Sequence, residues 1–303
     1  MKPQKSPQKI IKFILPILSI LLILSLIINI IFFTKLTGTV TFSNANSTRD
    51  TYFTVHNVKA AHEFGTGQGV KVGVMDWGFG VGTHPELYAD AINFSREKSA
   101  LDREHHGLWM SNALREIAPD CEIYALSTTD NDETKMVDNM VKAIDWAIDN
   151  NIDILTYSNA AFSEKNRPKV DEAVSKAAQH GIITTFIHYD NPSNFLPNGF
   201  FEFNHYNREP DINILHYDYN VLFPFSGIPH LSVSSTSPVL AGFVAILKSV
   251  NPDLSPSEYK SILIETSYSA EFYDEGFNAT SVIPRIANIE KAAALAEEMK
   301  KGE

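Results

Sequence analysis

The stretch Gly69-Val70-Lys71-Val72-Gly73-Val74-Met75-Asp76-Trp77-Gly78 reads as one strand and the turn that ends it. Val70, Val72 and Val74 alternate with Lys71 and Gly73, a period of two that fits a pleated strand, and β-branched side chains favour that surface. Asp76 follows the last apolar residue, and Gly78 permits a sharp turn directly after it.

Outward from this strand, helical and extended patterns alternate. Upstream, residues 58–64 read as a short helix closed by Gly65-Thr66-Gly67-Gln68-Gly69. Downstream, a helix over 107–117 is stopped by Pro119 and followed by a strand over 121–127. Met136, Met140, Ile144 and Ile148 form the i, i+4 stripe of an amphipathic helix reaching Asn150. A strand over 152–157, a helix over 170–180 stopped by Gly181, and a strand over 182–187 come next. Residues 190–230, rich in Asn, Pro, Phe and Tyr without a clear period, read as loops with short strands. Helices follow over 238–250 and 255–265, the second opened by Ser255 with Glu258 three residues on, a capping box. This alternation implies an α/β domain with a mostly parallel central sheet and helices on both faces.

The chain has 303 residues and a formal net charge of −11. A phosphate-binding protein needs a basic face, and no Lys/Arg run outside the N-terminus supplies one, so nucleic acid is not an expected partner. Cys121 is the single cysteine, so no intrachain disulfide is possible. Asp120 and Glu122 flank it and would raise its pKa, which argues against a nucleophilic thiol.

Residues 13–33 are an uncharged run of 21, rich in Ile and Leu; as a helix it would span about 30 Å, the thickness of a bilayer core. Lys2, Lys5, Lys9 and Lys12 precede it and only Lys35 follows closely, so the positive-inside rule places residues 1–12 in the cytoplasm and the rest outside. The expected organisation is a basic tail (1–12), a transmembrane signal anchor (13–34), a polar tether (35–50) and a folded domain (51–303) on the outer side of the cell membrane. A cleaved signal peptide fits less well. Its apolar region is usually shorter and ends at small residues, whereas this run ends Ile30-Ile31-Phe32-Phe33.

Acyl transfer from a peptide needs an alcohol nucleophile, a base within hydrogen-bond reach of it, and a carboxylate that fixes the base's tautomer. In parallel α/β sheets such groups collect at the carboxyl ends of strands. Asp76 stands at such an end, while His106 and Ser234 each open a helix. Taken singly, each has a plainer reading: a turn-forming Asp, a solvated or capping His, and a Ser that caps the helix ahead of Pro238.

Taken together, the blocks around them resemble those of the subtilisin-like serine peptidases. Residues 69–76 with Thr83-His84-Pro85-Glu86-Leu87 look like that family's aspartate block, and Asp102-Arg103-Glu104-His105-His106-Gly107 is similar to its histidine block. Ser234-Ser235-Thr236-Ser237-Pro238-Val239-Leu240-Ala241-Gly242 resembles its serine block. The likeness runs from about residue 56 to 296, in the order Asp, His, Ser.

The resemblance implies a subtilisin-like fold and an endopeptidase with Asp76, His106 and Ser234 as its triad. It implies that Ser158-Asn159-Ala160 forms the edge that binds substrate main chain. It also places Asp190, with Asn191 beside it, at the oxyanion position. Either Asp190 is protonated or the loop shifts by one residue and Asn191 serves. A polypeptide substrate is the implied partner, together with the membrane through the N-terminal helix. No cofactor is expected; calcium is common in the family, but no oxygen cluster for it can be located in this sequence. Asp102, Glu104, His105 and His106 have metal-ligating side chains, yet neighbouring residues point to different sides of a helix or strand. Gly78-Phe79-Gly80-Val81-Gly82 lacks the spacing of a dinucleotide loop.

The sequence departs from the family in several places. Leu108-Trp109 follows His106-Gly107, Ser232-Val233 precedes Ser234, and Asn159-Ala160 follows Ser158. These departures support a second reading, a catalytically impaired relative that keeps the groove and binds a peptide or partner protein.

Overall fold

The computed structural model describes residues 40–43, 53–158, 162–186, 198–199, 212–214, 233–274 and 278–302. The chain divides into two compact units, Met1–Thr41 and Phe42–Glu303. The 13–34 segment lies outside the described residues, among which no helix is long and apolar enough to cross a membrane. Within the stretch expected to be a tether, Val40–Ser43 forms a strand, β1. Its Val-Thr-Phe run has the β-branched and aromatic character that extended backbone favours.

After a short helix α1 (Val58–Ala61), the chain enters β2 (Lys71–Asp76), β3 (Asp90–Asn93), α2 (His106–Ile117) and β4 (Glu122–Ser127). Then come α3 (Glu133–Asp149), β5 (Ile154–Tyr157), α4 (Arg167–Gln179) and β6 (Ile183–Phe186). Two-residue strands β7 (Asn198–Gly199) and β8 (Asn213–Ile214) precede α5 (Thr236–Val250) and α6 (Pro256–Glu265). A hairpin of β9 (Tyr268–Asp274) and β10 (Ala279–Ile286) leads to the last helix, α7 (Ile289–Lys301).

The central sheet has the order β3-β4-β2-β5-β6, and every pair in it is parallel. Side chains of alternate residues feed two separate cores, as the period of two requires. Val72, Val74, Ile123, Ala125, Ile154 and Ile183 face one side and pack with α2, α5 and α7. Met75, Leu126, Leu155, Tyr157 and Phe186 face the other and pack with α3 and α4. Helices therefore cover both faces, as the strand–helix alternation implies.

Local chemistry sets the helix starts. α3 begins at Glu133, ahead of its apolar stripe, because the Asp132 carboxylate accepts from the Thr134 and Lys135 N–H groups. The capping box at Ser255 is present in both directions: Ser255 Oγ accepts from the Glu258 N–H, and Glu258 accepts from the Ser255 N–H. α5 is buried from Thr236 to Leu247, so the helix that follows Ser234 runs through the core rather than over the surface.

The hairpin β9–β10, β3 and α7 were not expected from the sequence. Among the described residues of the hairpin, Ala270, Ile283 and Ile286 join a small core with Val55. β3 is a four-residue edge strand with no fully buried residue. The Asn288 side chain caps α7 by accepting from the Lys291 N–H, a start signal that is present in the sequence.

Candidate active site

β2 delivers Asp76 to the carboxyl end of the sheet, where its side chain is 7% exposed. Both carboxylate oxygens are engaged. Oδ1 accepts the Trp77 N–H at 2.8 Å, and Oδ2 lies 2.7 Å from Nδ1 of His106. A carboxylate only accepts, so Nδ1 carries the proton and Nε2 is left as the basic nitrogen of the ring.

His106 is the first residue of α2, and the turn after Asp76 fixes it there. At the helix start, where N–H groups lack i−4 partners, the Gly107 N–H donates to the Trp77 carbonyl (2.8 Å) and the Leu108 N–H to Gly78 (3.0 Å) as well as to His105 (3.1 Å). The His105 N–H also donates to Gly78, and the Gly78 and Gly80 N–H groups donate to Ala100 and Arg103. These bonds tie the aspartate turn to the histidine segment along both backbones. Gly78 has φ +74°, and a Cβ there would fall 2.5 Å from Cβ of His105, so no other residue type fits between the two segments.

Ser234 lies in the middle of a 3-10 turn, Val233–Ser235, immediately before α5. Cα atoms of this turn lie within 8 Å of Cα atoms of α2, the helix that carries His106. Two sets of hydroxyl groups hold the turn to the ends of β5 and β6. Ser158 Oγ donates to the main-chain carbonyl of Ser234 at 2.8 Å. One turn on, the buried Ser237 hydroxyl bonds to the Tyr157 and Thr185 carbonyls and lies 3.0 Å from the Thr156 hydroxyl. Thr185 Oγ1 donates back to the Ser237 carbonyl at 3.1 Å.

The structure thus brings Asp76 and His106 into direct contact and sets the Ser234 turn beside the histidine helix. Ser158 stands at the same place, with its side chain bonded to the Ser234 turn. Asn159, Ala160, Asp190 and Asn191 lie outside the described residues.

The two adjacent histidines do point apart. His106 turns to Asp76, whereas the His105 ring stacks on Trp77 with centroids 3.9 Å apart and 21° between planes. Trp109 lies on toward both rings, 5.0 Å from His105 and 6.3 Å from His106. The Arg103 guanidinium sits over Trp77 at 5.8 Å. Sequence reasoning missed this stack; the i, i+4 spacing of His105 and Trp109 was its visible sign. Burial first, and then the neighbouring His106, hold the His105 pKa below the ordinary imidazole value.

Glu104 is engaged elsewhere than at His105 and His106: it accepts from the Thr83 hydroxyl at 2.7 Å and lies 3.6 Å from Nε2 of His84. Among the described residues no group of three His, Cys, Asp or Glu side chains is placed to hold a metal ion. The Cys121 thiol is pushed up to about 12, chiefly by burial, with Asp120 and Glu122 as lesser causes.

No protein-family profile matches the chain. Among curated proteins it is 26% identical over 245 residues to the thermostable alkaline protease of Halalkalibacterium halodurans, covering 70% of this chain and 66% of that protein. It is 24% identical over 242 residues to subtilisin BL of Lederbergia lenta, covering 69% of this chain and 88% of that protein. The chain therefore spans slightly less than two thirds of the first relative's length. Among solved structures, MycP1 from Mycobacterium smegmatis superposes with a TM-score of 0.56 at 14% identity, covering 84% of this chain and 87% of that one. The chain is thus similar, at low identity, to subtilisin-like serine proteases, and it shares their α/β fold.

Proposed function

We propose that this chain is a serine endopeptidase that cleaves polypeptides outside the cytoplasmic membrane. The observation that carries the proposal is the 2.7 Å pairing of buried Asp76 with Nδ1 of His106, on a helix packed beside the Ser234 turn. The similarity to subtilisin-like proteases supports the same reading.

In this account Ser234 Oγ attacks the scissile carbonyl while Nε2 of His106 takes its proton. Asp76 keeps the imidazole in the Nδ1–H tautomer and stabilises the imidazolium that forms. His106 then gives the proton to the leaving amine, and water attacks the acyl-enzyme with His106 again as base. The Ser234 N–H donates to the developing oxyanion. We assign the second donor to Asn191 rather than Asp190, because an ionised carboxylate would repel the oxyanion. The main chain of residues 158–160 is the proposed substrate edge, and the 13–34 segment the proposed membrane anchor.

The test is hydrolysis of denatured casein by the purified full chain in detergent. Wild-type protein is expected to release new N-termini, and Ser234→Ala to release none. Folded wild-type protein that leaves casein and a peptide library intact would contradict the proposal and favour a peptide-binding role.

A further inference from the structure

We propose that His105 is a positioning residue for the catalytic base, acting through its stack with Trp77 and Trp109. The inference rests on the peptidase reading and adds a residue to its machinery.

Trp77 is placed to pass a restraint to both halves of the Asp76–His106 pair. Its N–H donates to Oδ1 of Asp76, and its carbonyl accepts the Gly107 N–H at 2.8 Å. Any rotation of the Trp77 peptide units therefore moves the carboxylate and the start of α2 together. The indole is what a neighbour can grip, and His105 covers it at 3.9 Å with nearly parallel planes. The guanidinium of Arg103 adds a cationic contact to the same indole. Trp109 closes the arrangement, lying against His105 and meeting the His106 ring in an edge-type contact.

His105 is free for this role because it does no capping. It occupies the N-cap position of α2, yet its side chain makes no cap hydrogen bond; the Trp77 and Gly78 carbonyls take that place. Its Nδ1 is buried with no hydrogen-bond partner, an arrangement that costs free energy and persists only where the ring's faces gain more. The charged groups acting on it are His106, Asp76 and Arg103. A proton on its buried Nδ1 would stand unpaired and beside His106, so the stack uses the neutral ring. The imidazole here serves as a flat, compact aromatic rather than as an acid or base.

The test compares wild type, His105→Ala and His105→Phe in the full chain, with two readouts. The first is the second-order rate of labelling by a fluorophosphonate. Losing the stack should cut that rate on the order of tenfold to a hundredfold, as small misplacements of catalytic groups do, whereas His105→Phe should stay within about threefold of wild type because the stack survives. The second, independent of activity, is the low-field imidazole proton signal of His106 bonded to Asp76. It should be sharp in wild type and His105→Phe and broadened in His105→Ala. An unchanged His106 signal and labelling rate in His105→Ala would overturn the inference. So would failure of Phe to rescue in a variant of unchanged melting temperature, because the nitrogen rather than the stack would then matter. A wild-type protein that shows the His106 signal but never labels would instead sink the peptidase reading, and the signal comparison would still decide the role of the stack.

Discussion

The hydroxyl of Ser158, at the end of β5, donates to the main-chain carbonyl of Ser234 at 2.8 Å. The residue just after β5, read from sequence as part of the substrate edge, thus holds the Ser234 turn against the sheet. Ser158→Ala should lower turnover on the order of tenfold and cost about 1 kcal/mol of stability through the lost hydrogen bond. Ser158→Thr, which keeps a hydroxyl, should recover most of both. Peptide hydrolysis rates and urea midpoints for the two variants check this.

Asp76 and His106 form the second relationship, and its role is tautomeric. Asp76→Asn should leave an acceptor for the Trp77 N–H but present an amide that no longer selects Nδ1–H on His106. The expected loss in turnover is about 10⁴-fold with little change in KM. Steady-state kinetics on a peptide substrate, alongside the melting temperature, separate this from unfolding.

The helices that follow His106 and Ser234 meet at Gly242, where a Cβ would fall 2.6 Å from Ile117 Cβ and Cγ2. Gly242→Ala should therefore cost about 1–3 kcal/mol by overpacking and spread the α2–α5 spacing on which the site depends. Combining it with Ile117→Ala should restore part of the loss, so the two changes should be less than additive in a double-mutant cycle of unfolding free energies.

Burial raises the Cys121 thiol from 9.0 to about 12. The unfolded chain therefore loses that proton first, so the contribution of this group to stability is intact below about pH 9 and declines as pH rises toward 12. Tyr268, raised by burial from 10.0 to about 12, acts in the same direction over the upper part of that window. Cys121→Ala should show a shallower loss of stability between pH 9 and 11 than wild type, read from urea midpoints at each pH. In the native wild type at pH 8 the thiol should resist iodoacetamide, and it should react on unfolding.

Much of this was legible before the structure because the central strands and helices carry strong periodicities. The Val70–Val74 alternation, the stripe from Met136 to Ile148 and the Ser255–Glu258 box each encode one element by local chemistry. The hairpin β9–β10 was not legible because its pairing depends on tertiary neighbours such as Val55 rather than on its own local chemistry. At the site, Asp76 and His106 could be placed at a strand end and a helix start. Their contact could not be read from spacing, since it depends on the Gly78 turn folding back on residues 100–107. The second task of Ser158 links residues 76 apart and the His105–Trp77 contact residues 28 apart; no local periodicity marks either, and only the i, i+4 spacing of His105 and Trp109 hinted at the stack.

Ser234 is proposed to be an activated nucleophile served by His106. The most direct test is reaction of the folded full-length protein with a fluorophosphonate, with the adduct mapped by mass spectrometry. One adduct is expected, on the peptide containing Ser234, and it should be absent in Ser234→Ala and in His106→Ala. A folded wild-type protein that takes up no probe, or an adduct that persists when His106 is removed, would contradict the proposal.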